Sequence, residues 1–138
     1  MKNNCFNLHK CKIIEFPTIA DERGNLTFLE SSNQIPFDIK RIYYLHNNNN
    51  SSRGAHAHKA LNQIVISISG SFEIKLDDGK KYKTFKLSNK NQGLFICSMI
   101  WRDLFNFSED SVCLVLASDF YKESDYIRSY QEFLSYSE

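Results

Sequence analysis

Apolar residues recur along this chain in short runs, alternating or clustered, and each run is closed by polar or turn-forming residues. That period belongs to strands, whose successive side chains point to opposite faces. The runs are CKIIEF (11–16), NLTFLE (25–30), FDIKRIYYL (37–45), LNQIVISIS (61–69), SFEIKLD (71–77), KYKTFKL (81–87), QGLFIC (92–97), LFNF (104–107) and SVCLVLAS (111–118). Together they predict an all-β core. Ile64, Ile66 and Ile68 share one face of their strand and Phe72, Ile74 and Leu76 one face of the next, so two packed sheets or a closed barrel would bury both. Asp78-Gly79 signals a hairpin, because glycine accepts the positive φ of a tight turn. NNNNSS (47–52) reads as a solvated loop leading into RGAHAHK (53–59). Near the C-terminus, Ser124 or Asp125 is expected to cap a helix through YIRSYQEFL, with Ile127, Tyr130 and Leu134 on one stripe.

Length and charge narrow the picture. At 138 residues, with no internal repeat or linker, the chain reads as a single domain spanning residues 1–138. Seventeen Lys and Arg face sixteen Asp and Glu, with no long run of either sign, which argues against a nucleic-acid or anionic-membrane surface. No apolar stretch is long enough to span a membrane, and MKNNCFNLHK lacks the apolar centre of a signal peptide, so a soluble, cytoplasmic protein is expected. The four cysteines, at 5, 11, 97 and 113, form no CxxC pair and are read as free structural thiols, three of them in apolar runs.

The candidate chemistry lies in RGAHAHK. On a strand, His56 and His58 point the same way with Cα atoms roughly 6 to 7 Å apart, so both rings can face one cavity. Such a pair could ligate a metal or work as an acid/base couple. A metal site needs further ligands, usually a carboxylate and a third histidine. The spacing His-x-His, four residues, Gln63, six residues, Gly70 resembles the first signature of the cupin superfamily, jelly-roll β-barrels in which metal binders carry glutamate where Gln63 stands. The stretch GLFICSMIWRDLFNF, where a third histidine belongs, has none. No metal and no cofactor are therefore expected. A neutral imidazole can take and return a proton at cellular pH, and a second one beside it can polarise an oxygen or relay the proton.

RGAHAHK, together with DERGNL (21–26), FDIKRIYYL (37–45) and LVLASDFYKESDYIRSYQEF (114–133), resembles the nucleotide-sugar 3,4-ketoisomerases, which act on dTDP-4-keto-6-deoxy-D-glucose. The resemblance runs from about residue 11 to residue 136. It implies a metal-independent jelly-roll cupin with a short C-terminal α-helix that moves a ketone from C4 to C3, feeding an aminotransferase that makes 3-amino-3,6-dideoxysugars for surface glycans. It further implies His56 and His58 as the acid/base pair, with His56 favoured as the base at C3, and a homodimer with exchanged N-terminal strands. Arg53 and Lys59 flank the pair with positive charge suited to an enediolate or a diphosphate, although Lys59 points to the opposite face if the strand continues. Arg23 is a candidate phosphate or sugar contact or a loop ion-pair partner, and Gln63 a neutral substrate contact. Of the adjacent Tyr43 and Tyr44 one faces inward; Tyr44 is the candidate donor to a sugar oxygen. Trp101 is a candidate pocket wall or a core residue. Members of the family differ at the position of Arg102, which leans towards a gluco-configured product. Tyr126, Ile127 and Tyr130 are expected to pack the tail on the barrel. The competing functions are a nucleotide-sugar 3,5-epimerase, a non-catalytic sugar-binding cupin and a metal-dependent cupin oxygenase.

Overall fold

The computed structural model describes residues 6–49 and 51–137. The alternating runs become strands β1 (Lys12–Glu15), β3 (Gly24–Thr27), β4 (Arg41–Leu45), β5 (Arg53–His58), β6 (Gln63–Ser69), β7 (Phe72–Asp77), β8 (Tyr82–Leu87), β9 (Gln92–Ile96), β10 (Trp101–Phe105) and β11 (Val112–Ala117). Three further elements complete the order: β2 (Thr18–Asp21), β12 (Tyr126–Ile127) and helix α1 (Tyr130–Tyr136). One five-stranded sheet runs β1-β9-β6-β11-β4 and a second runs β12-β5-β10-β7-β8, while β2 and β3 form a separate hairpin. From β4 to β7 and again from β8 to β11 the chain passes between the two large sheets at each step, giving the jelly roll.

The inner faces of the sheets meet in an apolar core built from Val65, Leu94, Ile96, Cys113 and Val115 on one side and Phe72, Ile74, Leu76, Leu87 and Leu104 on the other. Strand β6 is buried on both faces through its first five residues. Val65 joins the inter-sheet core, whereas Ile64 and Ile66 pack outward against Phe16, Ile35 and Leu116, under cover of Leu29, Phe37 and Ile39. Ile68, grouped with them by alternation, is exposed near the strand end. Asp78-Gly79 does make the β7–β8 hairpin: the Asp78 carboxylate accepts from the N–H groups of Lys80 and Lys81, and Gly79 sits at φ +95°.

Four expectations need correction. Thr18–Asp21 is a strand that alternation could not reveal, since all four residues are exposed. The run predicted from Leu104 begins at Trp101, which places Arg102 on a strand. The terminal helix begins only at Tyr130, capped by Ser129, whose hydroxyl accepts from the Glu132 N–H. Residues 123–125 instead form a 3₁₀ turn, and Tyr126 and Ile127 gain ladder bonds opposite His58 and Ala57. Cys11 and Cys113 are buried free thiols as expected, but Cys97 is disulfide-bonded; Cys5 lies outside the described residues.

Candidate active site

The local fold of β5 aims the histidines. Its ladder with β10 pairs Arg102 with His56 and then Asp103 with Gly54, so one residue is bulged out of the register. The bulge places Gly54 at φ +89° and Ala55 at φ +54°. A Cβ on Gly54 would meet the Arg102 carbonyl oxygen at 2.9 Å, so only glycine allows the two strands to close there. Ala55 is held in a conformation that alanine rarely adopts, next to the first candidate catalytic ring.

The two imidazoles lie edge to face with centroids 4.8 Å apart. His56 Nδ1 is 3.1 Å from the Gly54 carbonyl oxygen, which can only accept, so Nδ1 carries the proton and Nε2 the lone pair. His58 Nδ1 donates to Asp125 Oδ2 at 3.0 Å. The Nε2 atoms of both rings are buried and have no partner. Burial pushes the pKa of His56 down to about 3, reinforced by the charge of Arg102 and by His58. Burial likewise pushes His58 down to about 4, against the hydrogen bond to Asp125, which raises it. Burial raises the pKa of Asp125, but donation from His58 and from the Ala60 N–H outweighs it and holds the carboxyl below its usual value. Both rings are therefore neutral bases near pH 7.

Beside them lies a cation with no carboxylate against it. Arg102 is 3 % exposed; its guanidinium donates to Gln63 Oε1 through Nη1 and to the Ile100 carbonyl through Nη2 at 2.9 Å, while Nε has no partner. Gln63 Nε2 in turn donates to the Tyr43 hydroxyl at 3.1 Å. Gln63 thus spends its amide oxygen on arginine and its amide nitrogen on tyrosine, an assignment a glutamate could not fill. Among the described residues no three His, Cys, Asp or Glu side chains converge as a ligand set.

A cavity of about 370 Å³ opens over these groups. His56, Gln63, Arg102 and Arg53 line it, together with Arg41, Tyr43, Tyr126 and Arg128, which the sequence reading did not place in a site. His58 borders a smaller neighbouring cavity of about 190 Å³ with Asp125, and Arg41 and Tyr126 line both spaces. Tyr126 packs against both imidazoles, at centroid distances of 5.0 and 4.4 Å, and its outer face is covered by the Arg128 guanidinium. It is Tyr43 that turns inward; Tyr44 is 60 % exposed on the outer face of β4. Trp101 is buried in a cluster with Ala57, Met99, Ile127 and Phe133, away from the cavity lining. Lys59 borders neither cavity, and its backbone N–H donates to the Asp125 carbonyl. Arg23 is an exposed partner of Asp21 at 2.7 Å in the β2–β3 turn. The face shared by Arg41 and Tyr43 was open to reading by alternation, and the tail containing Asp125, Tyr126 and Arg128 was conspicuous, but neither signal separates a cavity wall from packing.

With this geometry in hand, comparison with known proteins is specific. The family described as FdtA: WxcM-like, C-terminal matches residues 9–138. A TDP-4-oxo-6-deoxy-alpha-D-glucose-3,4-oxoisomerase of Aneurinibacillus thermoaerophilus is 42% identical over 126 residues, covering 91% of this chain and 91% of its own. A 3,4-ketoisomerase from Helicobacter canadensis superposes with a TM-score of 0.89 at 49% identity, over 92% of this chain and 96% of its own. QdtA, a sugar 3,4-ketoisomerase from Thermoanaerobacterium thermosaccharolyticum solved in complex with TDP, gives 0.92 at 41% identity, over 95% of this chain and 96% of its own.

Proposed function

The chain belongs to the FdtA family, WxcM-like, C-terminal, and on that premise we propose that it isomerises TDP-4-keto-6-deoxyglucose, moving the ketone from C4 to C3. The observation that carries the reading is the pair of neutral, buried imidazoles with unpartnered Nε2 atoms, set beside a buried guanidinium that lacks a carboxylate partner. The proton on C3 is acidic because it is adjacent to the C4 ketone. His56, whose lone pair is on Nε2, is the base that removes it. The C3–H electrons form the C3=C4 bond and the carbonyl pair moves to O4, giving an enediolate. Arg102, already desolvated and held by Gln63 and Ile100, is preorganised to stabilise that charge. A proton returned to C4, with transfer of the O3 proton to O4, completes the 3-ketone. Electrons balance within the sugar, so the reaction calls for no external oxidant or reductant.

Arg41, Arg53 and Arg128 give the same cavity a cationic lining suited to the diphosphate of a nucleotide sugar. The 3-keto product would feed an aminotransferase in the formation of 3-amino-3,6-dideoxysugars for surface glycans. The enzyme is read as a homodimer with exchanged N-terminal strands. The β2–β3 hairpin supports this, being a two-stranded sheet on its own that exposes Ile19 and Leu26, as do the exposed Ile42 and Tyr44 on β4. Such an exchange is also how Arg23 would approach a substrate. Among the described residues no helix is long and apolar enough to cross a membrane, and a nucleotide-sugar substrate fits a cytoplasmic location.

The test is incubation with TDP-4-keto-6-deoxyglucose in deuterated water, followed by NMR. Deuterium should enter at C3 and a 3-keto product should accumulate, with a chelator having no effect. Both signals should fall by about 10²-fold or more in His56→Ala. A folded protein that binds TDP yet exchanges nothing at C3 would make it a sugar-nucleotide binding module.

A further inference from the structure

We propose that the apolar floor of the cavity, formed by Val65, Ile96, Leu104 and Val115, is the specificity element that reads the C6 methyl group and so restricts the enzyme to 6-deoxyhexoses; this rests on the ketoisomerase reading above. All four side chains line the cavity and all four belong to the inter-sheet core, so the bottom of the one is the top of the other. They form a continuous surface. Val65 lies opposite Val115 in the β6–β11 ladder, and Ile96 lies opposite Gln63, two residues from Val65, in the β6–β9 ladder. Leu104 closes the surface from the facing sheet, two residues from Arg102 on β10. No side-chain atom of these four can donate or accept a hydrogen bond. Gln63, their polar neighbour in register, is already committed to Arg102 and Tyr43.

The shape of the sugar decides which group meets that floor. In a pyranose C4 lies across the ring from C1. Arg41, Arg53 and Arg128 line the cavity and the last two are exposed, so the diphosphate on C1 belongs at the mouth and C4 points inward. Placing C3 against His56, on β5, leaves C5 and its C6 substituent on the other side of the ring, towards the facing sheet that carries Val65, Ile96 and Val115. Every other substituent of the ring begins with an oxygen: the ketone at C4, the hydroxyls at C2 and C3 and the diphosphate at C1. The methyl group alone can be buried there in exchange for dispersion contacts, leaving no polar atom unpaired. A C6 hydroxyl would be stripped of water with no partner to receive it, and a pentose, which ends at C5, would leave the floor unfilled.

The test compares TDP-4-keto-6-deoxyglucose with TDP-4-ketoxylose, which has the same reacting carbons and no C6. Wild-type kcat/KM for formation of the 3-ketone should favour the methylated sugar by about 10–100-fold, the range that one such group commands in an apolar pocket. Val65→Thr keeps the shape of the side chain and puts a hydroxyl in the floor, where a water can then take the place of the methyl group. In folded protein it should lower the preference by roughly tenfold. Val115→Thr, the same change across the ladder, gives the second reading if the first variant does not fold. Calorimetric affinities for TDP-6-deoxyglucose and TDP-xylose, which carry no ketone, should show the same preference in the absence of turnover. Equal kcat/KM for the two sugars in the wild-type protein, or a preference that survives both substitutions unchanged, overturns the proposal. A wild-type protein that prefers TDP-6-deoxyglucose to TDP-xylose but forms no 3-keto product overturns the ketoisomerase reading and not the role of the floor.

Discussion

The interior of this jelly roll has two halves made by the same strands. On β10, Arg102 brings a polar group to the cavity and Leu104, two residues on, is both its apolar wall and part of the core; on β6, Gln63 and Val65 do the same. In the apolar half Phe72, Ile74 and Leu76 are wholly buried and Phe72 stacks on Phe107 with centroids 5.4 Å apart. In the polar half two imidazole nitrogens and two guanidinium nitrogens are buried without partners. Dispersion and burial hold the first half together, whereas the second leaves hydrogen-bonding capacity unmet, which opposes folding. One end of the barrel stabilises the fold so that the other can remain unsatisfied until a substrate arrives.

That division predicts opposite responses to substitution. The largest effect expected is Phe72→Ala, which should lower stability by about 3–5 kcal/mol through lost burial and an unfilled cavity. Turnover per folded molecule should be unchanged. Denaturant melts paired with the NMR assay would check both, and a Phe72→Ala protein that is stable but inactive would erase the distinction between the halves.

Next in size is Arg102→Met. Methionine fills similar space without a charge but leaves the Gln63 and Ile100 oxygens without their donor, so relief of the buried charge and the lost hydrogen bonds oppose each other and stability should change by no more than about 1–3 kcal/mol. Turnover should fall by roughly 10²–10³-fold with the loss of enediolate stabilisation. A destabilised Arg102→Met protein of normal activity would show Arg102 to be a structural clamp for Gln63 and Tyr43.

The same two halves explain what was legible beforehand. Alternation identifies the buried faces because burial depends on the side chain's own chemistry, and Phe72, Ile74 and Leu76 declare themselves. It cannot distinguish a cavity-facing position from a core-facing one on the same strand face, which is why Tyr43 and Arg41 went unplaced and Tyr44 was favoured. His56, His58 and Gln63 were readable from residue type and spacing and Arg53 from its place beside them, whereas Arg102 stood out only through the family resemblance. Asp125 and Tyr126 were not, because they reach the histidines through pairing between β12 and β5, nearly seventy residues apart in sequence. Thr18–Asp21 escaped for the opposite reason: a strand exposed along its whole length carries no burial signal.

The smallest effect sought is a pH dependence confined to the polar half. His56 and His58 have folded pKa values of about 3 and about 4, both below the ordinary value of 6.5. Below pH 6.5 the unfolded chain therefore binds protons that the folded protein refuses, and stability falls as the pH drops towards 4. Between pH 6 and pH 5 the loss should be roughly 1 kcal/mol for each histidine. Denaturant midpoints measured across that window should show the slope in the wild-type protein and in Phe72→Ala alike, displaced but parallel. In a His56→Ala/His58→Ala double variant the slope should flatten, and the variant should be at least as stable as wild type at pH 5. An unchanged slope in the double variant would mean that the acid sensitivity arises elsewhere and that the two rings are not held neutral against their ordinary tendency to ionise.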